Sequence, residues 1–597
     1  MVNRLLVGGV ILVVLVLIIA AVIATREQAP VPEEATTPAT TPTPAATETT
    51  PAQTTTPTET TPAVEKPAEA KRVLRVGFAW PTYIDPAVGS DFSSTHAISN
   101  LYDPLVFPTP DGGVMPWVAE SWDVSDDGKV WTFKIRKGIK FHSGRELTAE
   151  DVAFSMKRML LIGEGFSYLW APYINPNTGI KVIDEYTVQF ILDKPFGPFL
   201  VTLVRLYIVD QEEVMANIKT PGPYGEYGDF AKEWLLTNDA GSGPYRVKEV
   251  KLEEFIRMEK FEDYWAWKMG VIPPNPEAPD EIVFLALAVP PTERTLLLNR
   301  ELEISSQWLP EEVLEALSKE KGISIAEVPS GAGFYLMMNT KKPPLDDIYV
   351  RRALAYAFDY DTVITQIYKG MPRMYGPVPP SIPGYCEVEG FTFNPDKALE
   401  ELKKSKYYPD IVNNPEKYVI EYHWVAEVPA EEKVALLFAK NIKEVLGLEV
   451  KVVKVPWLKA VEEMAKQETS PHIISIFVAP HYPEAGSLLE SRYHSKSAAT
   501  WEQNEWLLNE TIDRLIEDAL STLDKEERFS KYCELQRILT EMSPSLFLFE
   551  LISKFAYQSS YVYWPAAEGK APIVMGYQID GRFIKVFPEK MQEVLGG

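Results

Sequence analysis

The chain is poor in the residues that hold metals and carry covalent catalysis. Only two cysteines, Cys386 and Cys533, and six histidines occur among its 597 residues. Two thiolates cannot complete a four-ligand zinc or iron–sulfur site, and the sequence leaves open whether the pair forms a disulfide. The histidines (His96, His142, His423, His472, His481 and His494) include no i, i+4 pair that would set two imidazoles on one helix face. Positive charge is also scarce. Lys and Arg number 59 against 84 Asp and Glu, a formal net charge of -25, which repels a polyanion and offers no basic footprint for phosphates. Nucleic acid is excluded as a partner class. The P-loop, the G-x-S-x-G nucleophile elbow and the H-E-x-x-H zinc motif are all absent. Asp123 to Gly128 opens like a calcium loop, but Lys134 occupies the twelfth position, where a bidentate Glu is required. No cofactor is implied. Paired carboxylates for glycoside chemistry stay open, because 84 acids always offer candidates and only geometry chooses among them.

What is present begins at the N-terminus. Leu5 to Ala24 is an uncharged run of about 20 residues, enough to span a bilayer core at roughly 1.5 Å per residue, and reads as an anchor or a long signal segment. From Gln28 to Lys71 follows a Thr/Pro-rich tract with no aromatic residue and no apolar period. It cannot offset its ordering entropy and reads as an extended stalk. The expectation is a body held outside the membrane at the cell surface. That body is 46% apolar by whole-chain composition, ample for several domain-sized cores.

Strand and helix signals alternate along it. Val73 to Ala79 alternates like a strand, and Asp127-Gly128 turns the chain into Val130 to Ile135, with Trp131, Phe133 and Ile135 on one face. Thr148 and Asp151 form a capping-box variant ahead of a helical stripe of Val152, Met156, Met159 and Leu160. Pro310 starts a helix that Gly322 is expected to stop before a strand from Ile323. Val434, Leu437, Phe438, Ile442 and Val445 stripe a helix ended by Gly447. This is α/β layering.

Val118 to Ser155, VAESWDVSDDGKVWTFKIRKGIKFHSGRELTAEDVAFS, closely resembles the signature of the family 5 extracellular solute-binding proteins, receptors of peptide, nickel and oligosaccharide ABC importers. The likeness continues through Gly241 to Tyr245, Phe261 to Trp265, Phe334 to Asn339 and Asp346 to Asp359, and covers Val73 to about Trp564. It implies a two-lobed, periplasmic-binding-protein-like α/β fold of type II, in the large class with an inserted subdomain. The expected layout is an anchor at 1–27, a stalk at 28–71, lobe one at 72–104, 236–332 and 550–597, the insert at 105–235, and lobe two at 333–549. Two crossings between lobes would form a hinge.

Peptide-binding members pair an acidic residue of lobe two with the ligand's amino group, and here His481 aligns with it; Met464 aligns with the basic residue that some members carry. An imidazole cannot replace a carboxylate as partner to an ammonium group. The resemblance leaves Trp457 as the cleft tryptophan, with Phe92, Phe477 and Tyr482 in cleft-lining segments, and Asp91, Asn339, His481 and Glu484 as candidate polar partners. The expected ligand is an oligopeptide or an oligosaccharide, delivered to an ABC permease without chemical change. An extracellular enzyme or sensor that keeps the receptor fold is the alternative.

Overall fold

The structure is a computed structural model that describes residues 71–595 except 79–82, 288 and 427. The expected anchor and stalk at 1–70 lie outside the described residues. None of the described helices is long and apolar enough to cross a membrane.

Three sheets carry the architecture. In lobe one, Val73–Phe78 buries Leu74 and Val76 and pairs in parallel with Glu281–Ala286, and Phe255–Lys260 and Tyr245–Lys251 complete four strands in that order. Inserted between the first two of these in sequence is an antiparallel sheet in the order Ala119–Val124, Val130–Ile135, Thr187–Ile191, Ile180–Asp184. Its hairpin turns at Gly128, φ +68°, and Trp131, Phe133 and Ile135 are buried as their alternation predicts. Helix Ala149–Ile162 opens on the Thr148–Asp151 capping box and ends at left-handed Gly163.

Lobe two is a five-stranded sheet ordered Val450–Val455, Ile420–Val425, Ile473–Val478, Ser324–Met338, Ser545–Tyr557. Helix Ala430–Leu446 presents buried Val434, Phe438 and Ile442 and stops at left-handed Gly447. The helix after Pro310 is shorter than expected, Glu311–Leu317. Its apolar stripe ends at Leu317, residues 318–321 are exposed, and the chain turns through Gly322 at φ +80° with nothing left to bury.

The lobes share two strands. Ser324–Met338 is 15 residues long, roughly 50 Å at about 3.3 Å per residue, and pairs antiparallel with the 13-residue Ser545–Tyr557. Ser324 to Val328 runs beside Tyr557 to Ser553, and Gly333 to Met337 beside Glu550 to Ser545, with a register shift between Pro329 and Gly333. Single bridges from Val76 to Ile304 and from Ile304 to Tyr557 stitch the pair to the lobe-one sheet. The kink is written into its residues. Pro329 cannot donate to a ladder. Gly331 has φ +68°, and a Cβ there would stand 2.7 Å from Ile382 Cδ1. Cys386 and Cys533 are disulfide-bonded, which ties the loop after Gly384 to helix Lys525–Met542.

Candidate functional site: a cavity at the hinge

The kink in the crossing strands opens a cavity of about 160 Å³ between the lobes. The first strand contributes Val328, Pro329, Ser330 and Ala332 to its wall, and the second contributes Leu551, Ser553 and Phe555. Lobe two adds Phe477 and Ala479; Phe92, Gln307, Met575 and Gln578 come from lobe one. Among the described residues, no charged side chain lines it. A larger apolar groove, about 450 Å³, lies on lobe one between Phe107 and Phe583 and holds none of the residues nominated from the sequence.

Each aromatic wall is braced from behind. Phe477 stacks on Phe334 with centroids 4.3 Å apart, and Phe334 packs on Phe549 at 5.1 Å. Phe92 starts helix Phe92–Leu101, which Asp91 caps by accepting the Ser94 amide at 3.0 Å. Its ring lies 5.8 Å from Phe78 and 4.5 Å from His96. Burial pushes the His96 pKa down to about 4, so the imidazole beneath Phe92 is neutral near pH 7. The polar groups of the wall are amides and hydroxyls. Ser553 donates to Gln307 Oε1 at 3.2 Å, Ser330 donates to the Leu551 carbonyl at 2.8 Å, and Gln578 accepts the Gly576 amide at 3.1 Å. Beside the kink, Glu550 takes the Ser381 amide at 3.1 Å and the Ser381 hydroxyl, and burial holds its carboxyl above the usual range. Such a wall can hold an apolar group between rings and hydrogen-bond neutral amides. It has nothing that pairs with a charge.

Of the residues nominated from the sequence, Phe92 and Phe477 line this cavity. The others stand elsewhere. Asp91 is the helix cap, and its second oxygen takes the Ser94 hydroxyl. Asn339, fully buried at the end of the first crossing strand, accepts the Lys341 amide at 3.0 Å. Glu484 is buried and committed to Arg528, at 2.6 and 3.1 Å, and to the Tyr532 hydroxyl at 2.8 Å. Tyr482 is buried beside Phe196 of the insert. His481 pairs with Glu502 at 3.0 Å; burial works to raise the Glu502 pKa, but His481, Ser491 and Arg492 together outweigh it and hold that carboxyl below its usual range. Trp457 is half-buried at the first turn of Trp457–Met464, edge-on to Trp501 with ring centroids 5.3 Å apart. Sequence reasoning missed Gln307, Ser330, Ser553, Met575 and Gln578. The Val328-Pro-Ser-Gly-Ala-Gly333 interruption of a strand was the available signal.

Among the described residues, no group of three or more His, Cys, Asp or Glu side chains is placed to hold a metal ion.

The chain is 28% identical over 500 residues to the probable D,D-dipeptide-binding periplasmic protein DdpA of Escherichia coli, covering 81% of this chain and 89% of that one. It is 24% identical to the periplasmic oligopeptide-binding protein OppA of the same organism, covering 80% and 86%. The fold matches the periplasmic binding protein DppA of Helicobacter pylori in complex with the peptide STSA, with TM-score 0.70 and 23% identity over 86% of this chain and 98% of that one. It also matches the ABC transporter substrate-binding protein CtaP of Listeria monocytogenes, with TM-score 0.72 and 21% identity over 86% and 99%. The model of the bacterial extracellular solute-binding proteins, family 5, matches residues 113–500, and with two lobes joined by shared strands beside a cavity, this chain belongs to that family.

Proposed function

We propose that this chain is the binding receptor of an ABC importer and that it captures peptides between its lobes and releases them unaltered. The carrying observation is the cavity walled by both lobes at the kink of the strands they share. A guest touching Phe92 on one side and Phe477 on the other has more contacts in the closed form than in the open one, and such differential contact is what drives closure. A permease then reads the closed shape. The peptide-binding names of DdpA, OppA and the STSA-bound DppA support the ligand class. The uncharged wall favours an apolar side chain with its flanking amides over a charged terminus. In this reading the N-terminal segment keeps the receptor beside its transporter at the cell surface.

Isothermal titration of the purified protein against a pool of di- to pentapeptides with uncharged side chains, and against cello-, xylo- and manno-oligosaccharides, tests the reading. Saturable binding of peptides, recovered intact by mass spectrometry, is expected. Binding to sugars alone, or recovery of cleaved peptide, would overturn it.

A further inference from the structure

The insert and lobe two meet along a seam outside the cavity. Gly197 donates its amide to the Leu520 carbonyl at 2.7 Å. Tyr168 sets its ring against His481 at 5.1 Å, and Phe196 meets Tyr482 at 6.4 Å. Next to these contacts stands Arg205, fully buried. Its Nε donates to the His481 carbonyl of lobe two at 3.1 Å, and its Nη1 donates to the Met575 carbonyl of lobe one at 2.7 Å. The guanidinium lies 4.7 Å over the Phe166 ring.

Both acceptors belong to cavity segments. Met575 lines the cavity itself, and His481 is two residues from Ala479, which also lines it. One guanidinium thus holds the backs of two segments whose fronts are wall. We propose that Arg205 is the positioning residue that couples occupation of the cavity to closure of the lobes. When the lobes part, the bond to His481 is lost and water takes its place. Closing strips that water and returns carbonyl hydrogen bonds, which match the loss only when both segments sit at the right spacing. A guest in the cavity fixes that spacing. A carboxylate in place of a carbonyl would hold the seam shut with the cavity empty, and no guest would then be needed.

The choice of guest rests on the peptide-receptor reading; the seam does not. Arg205→Lys keeps the charge but forfeits the fork that spans two carbonyls, and Arg205→Gln removes the charge. Calorimetry and stopped-flow dissociation with the same peptide pool should show affinity at least tenfold weaker in both variants, mainly through faster release, and small-angle scattering should show the liganded variants more open than the parent. Parental affinity and release rate in both variants would overturn the proposal. Should neither variant fold, hydrogen exchange on the unaltered protein decides. The Gly197, Ala479 and His481 amides should gain protection when the pool is added, and equal exchange with and without it would count as refutation. If the parent protein binds none of the pool, the receptor reading fails by itself. Ligand-free scattering then tests the seam, since Arg205→Lys should shift the profile towards open, and an unchanged profile rejects the coupling.

Discussion

Asp103 and Arg205 are both fully buried charges on the lobe-one side of the molecule, and their surroundings differ in kind. Asp103 accepts from Trp117 Nε1 at 2.8 Å, the Tyr264 hydroxyl at 2.9 Å, Trp265 Nε1 at 2.7 Å and the Ser242 hydroxyl at 3.0 Å, and it pairs with Arg582 at 2.8 Å. These partners come from widely separated parts of the chain, so one carboxylate knots lobe one together. Arg205 has carbonyls for acceptors, one of them across the seam. The carboxylate is matched by opposite charge, the guanidinium by carbonyl dipoles. Asp103→Ala is the harshest way to break this contrast. It leaves Arg582 with Asp580 as its remaining carboxylate and strands the buried Trp117 and Trp265 N–H groups, and should cost about 3 to 5 kcal/mol, read as a lower denaturant midpoint. A loss below about 1 kcal/mol would show that the knot is ornamental.

Lobe two holds a third kind of buried charge. Glu431 is almost completely enclosed, and its Oε2 accepts the Val425 amide at 3.0 Å and the Ser475 hydroxyl at 2.7 Å. Burial pushes its pKa from 4.5 up to about 8, against those two hydrogen bonds. A guanidinium cannot shed its charge, but a carboxyl can take up a proton, and this one does. Below pH 4.5 both folded and unfolded chains carry the proton and stability is complete. As pH rises towards about 8 the unfolded chain releases it while the folded chain keeps it, so stability falls, on the order of 3 kcal/mol by pH 7. Glu431→Gln keeps an acceptor for both donors and removes that slope. Melting scans should show the variant gaining over its parent as pH rises from 4.5 to 7.5. An offset that does not change with pH would place the ionised form in the core.

The fold was legible in the sequence wherever information is local. The alternation of Trp131, Phe133 and Ile135, the Thr148 capping box and the stop at Gly447 all formed as read, because each depends on neighbours a few residues away. The cavity was not legible to the same degree. It is made where Val328 meets Ser553, a pairing across more than two hundred residues, and its polar wall comes from Gln307 and Gln578, which have no sequence pattern at all. Glu484 illustrates the converse. A carboxylate in a cleft-like segment reads as free to bind, yet Arg528 and Tyr532 consume it, and both lie more than forty residues further on. Phe92 and Phe477 were nominated through the family resemblance and not through any local pattern; both line the cavity, one from the first turn of a helix and the other from a strand.

Cavity wall and lobe edge can be separated by a smaller experiment. Phe477 lines the cavity and is held by the Phe334 stack, so Phe477→Ala removes an aromatic wall from the guest and should weaken peptide binding about tenfold or more, the loss expected of an aromatic anchor. Trp457 is the tryptophan that the family resemblance points to, but its ring meets Trp501 and it is not among the residues that line the cavity. Trp457→Ala should therefore change affinity by less than about threefold, under ~1 kcal/mol. Titration of both variants with the same peptides ranks them. Equal losses would extend the binding surface from the kink out to the lobe-two helix, and a guest long enough to reach both would then have to be a peptide of several residues.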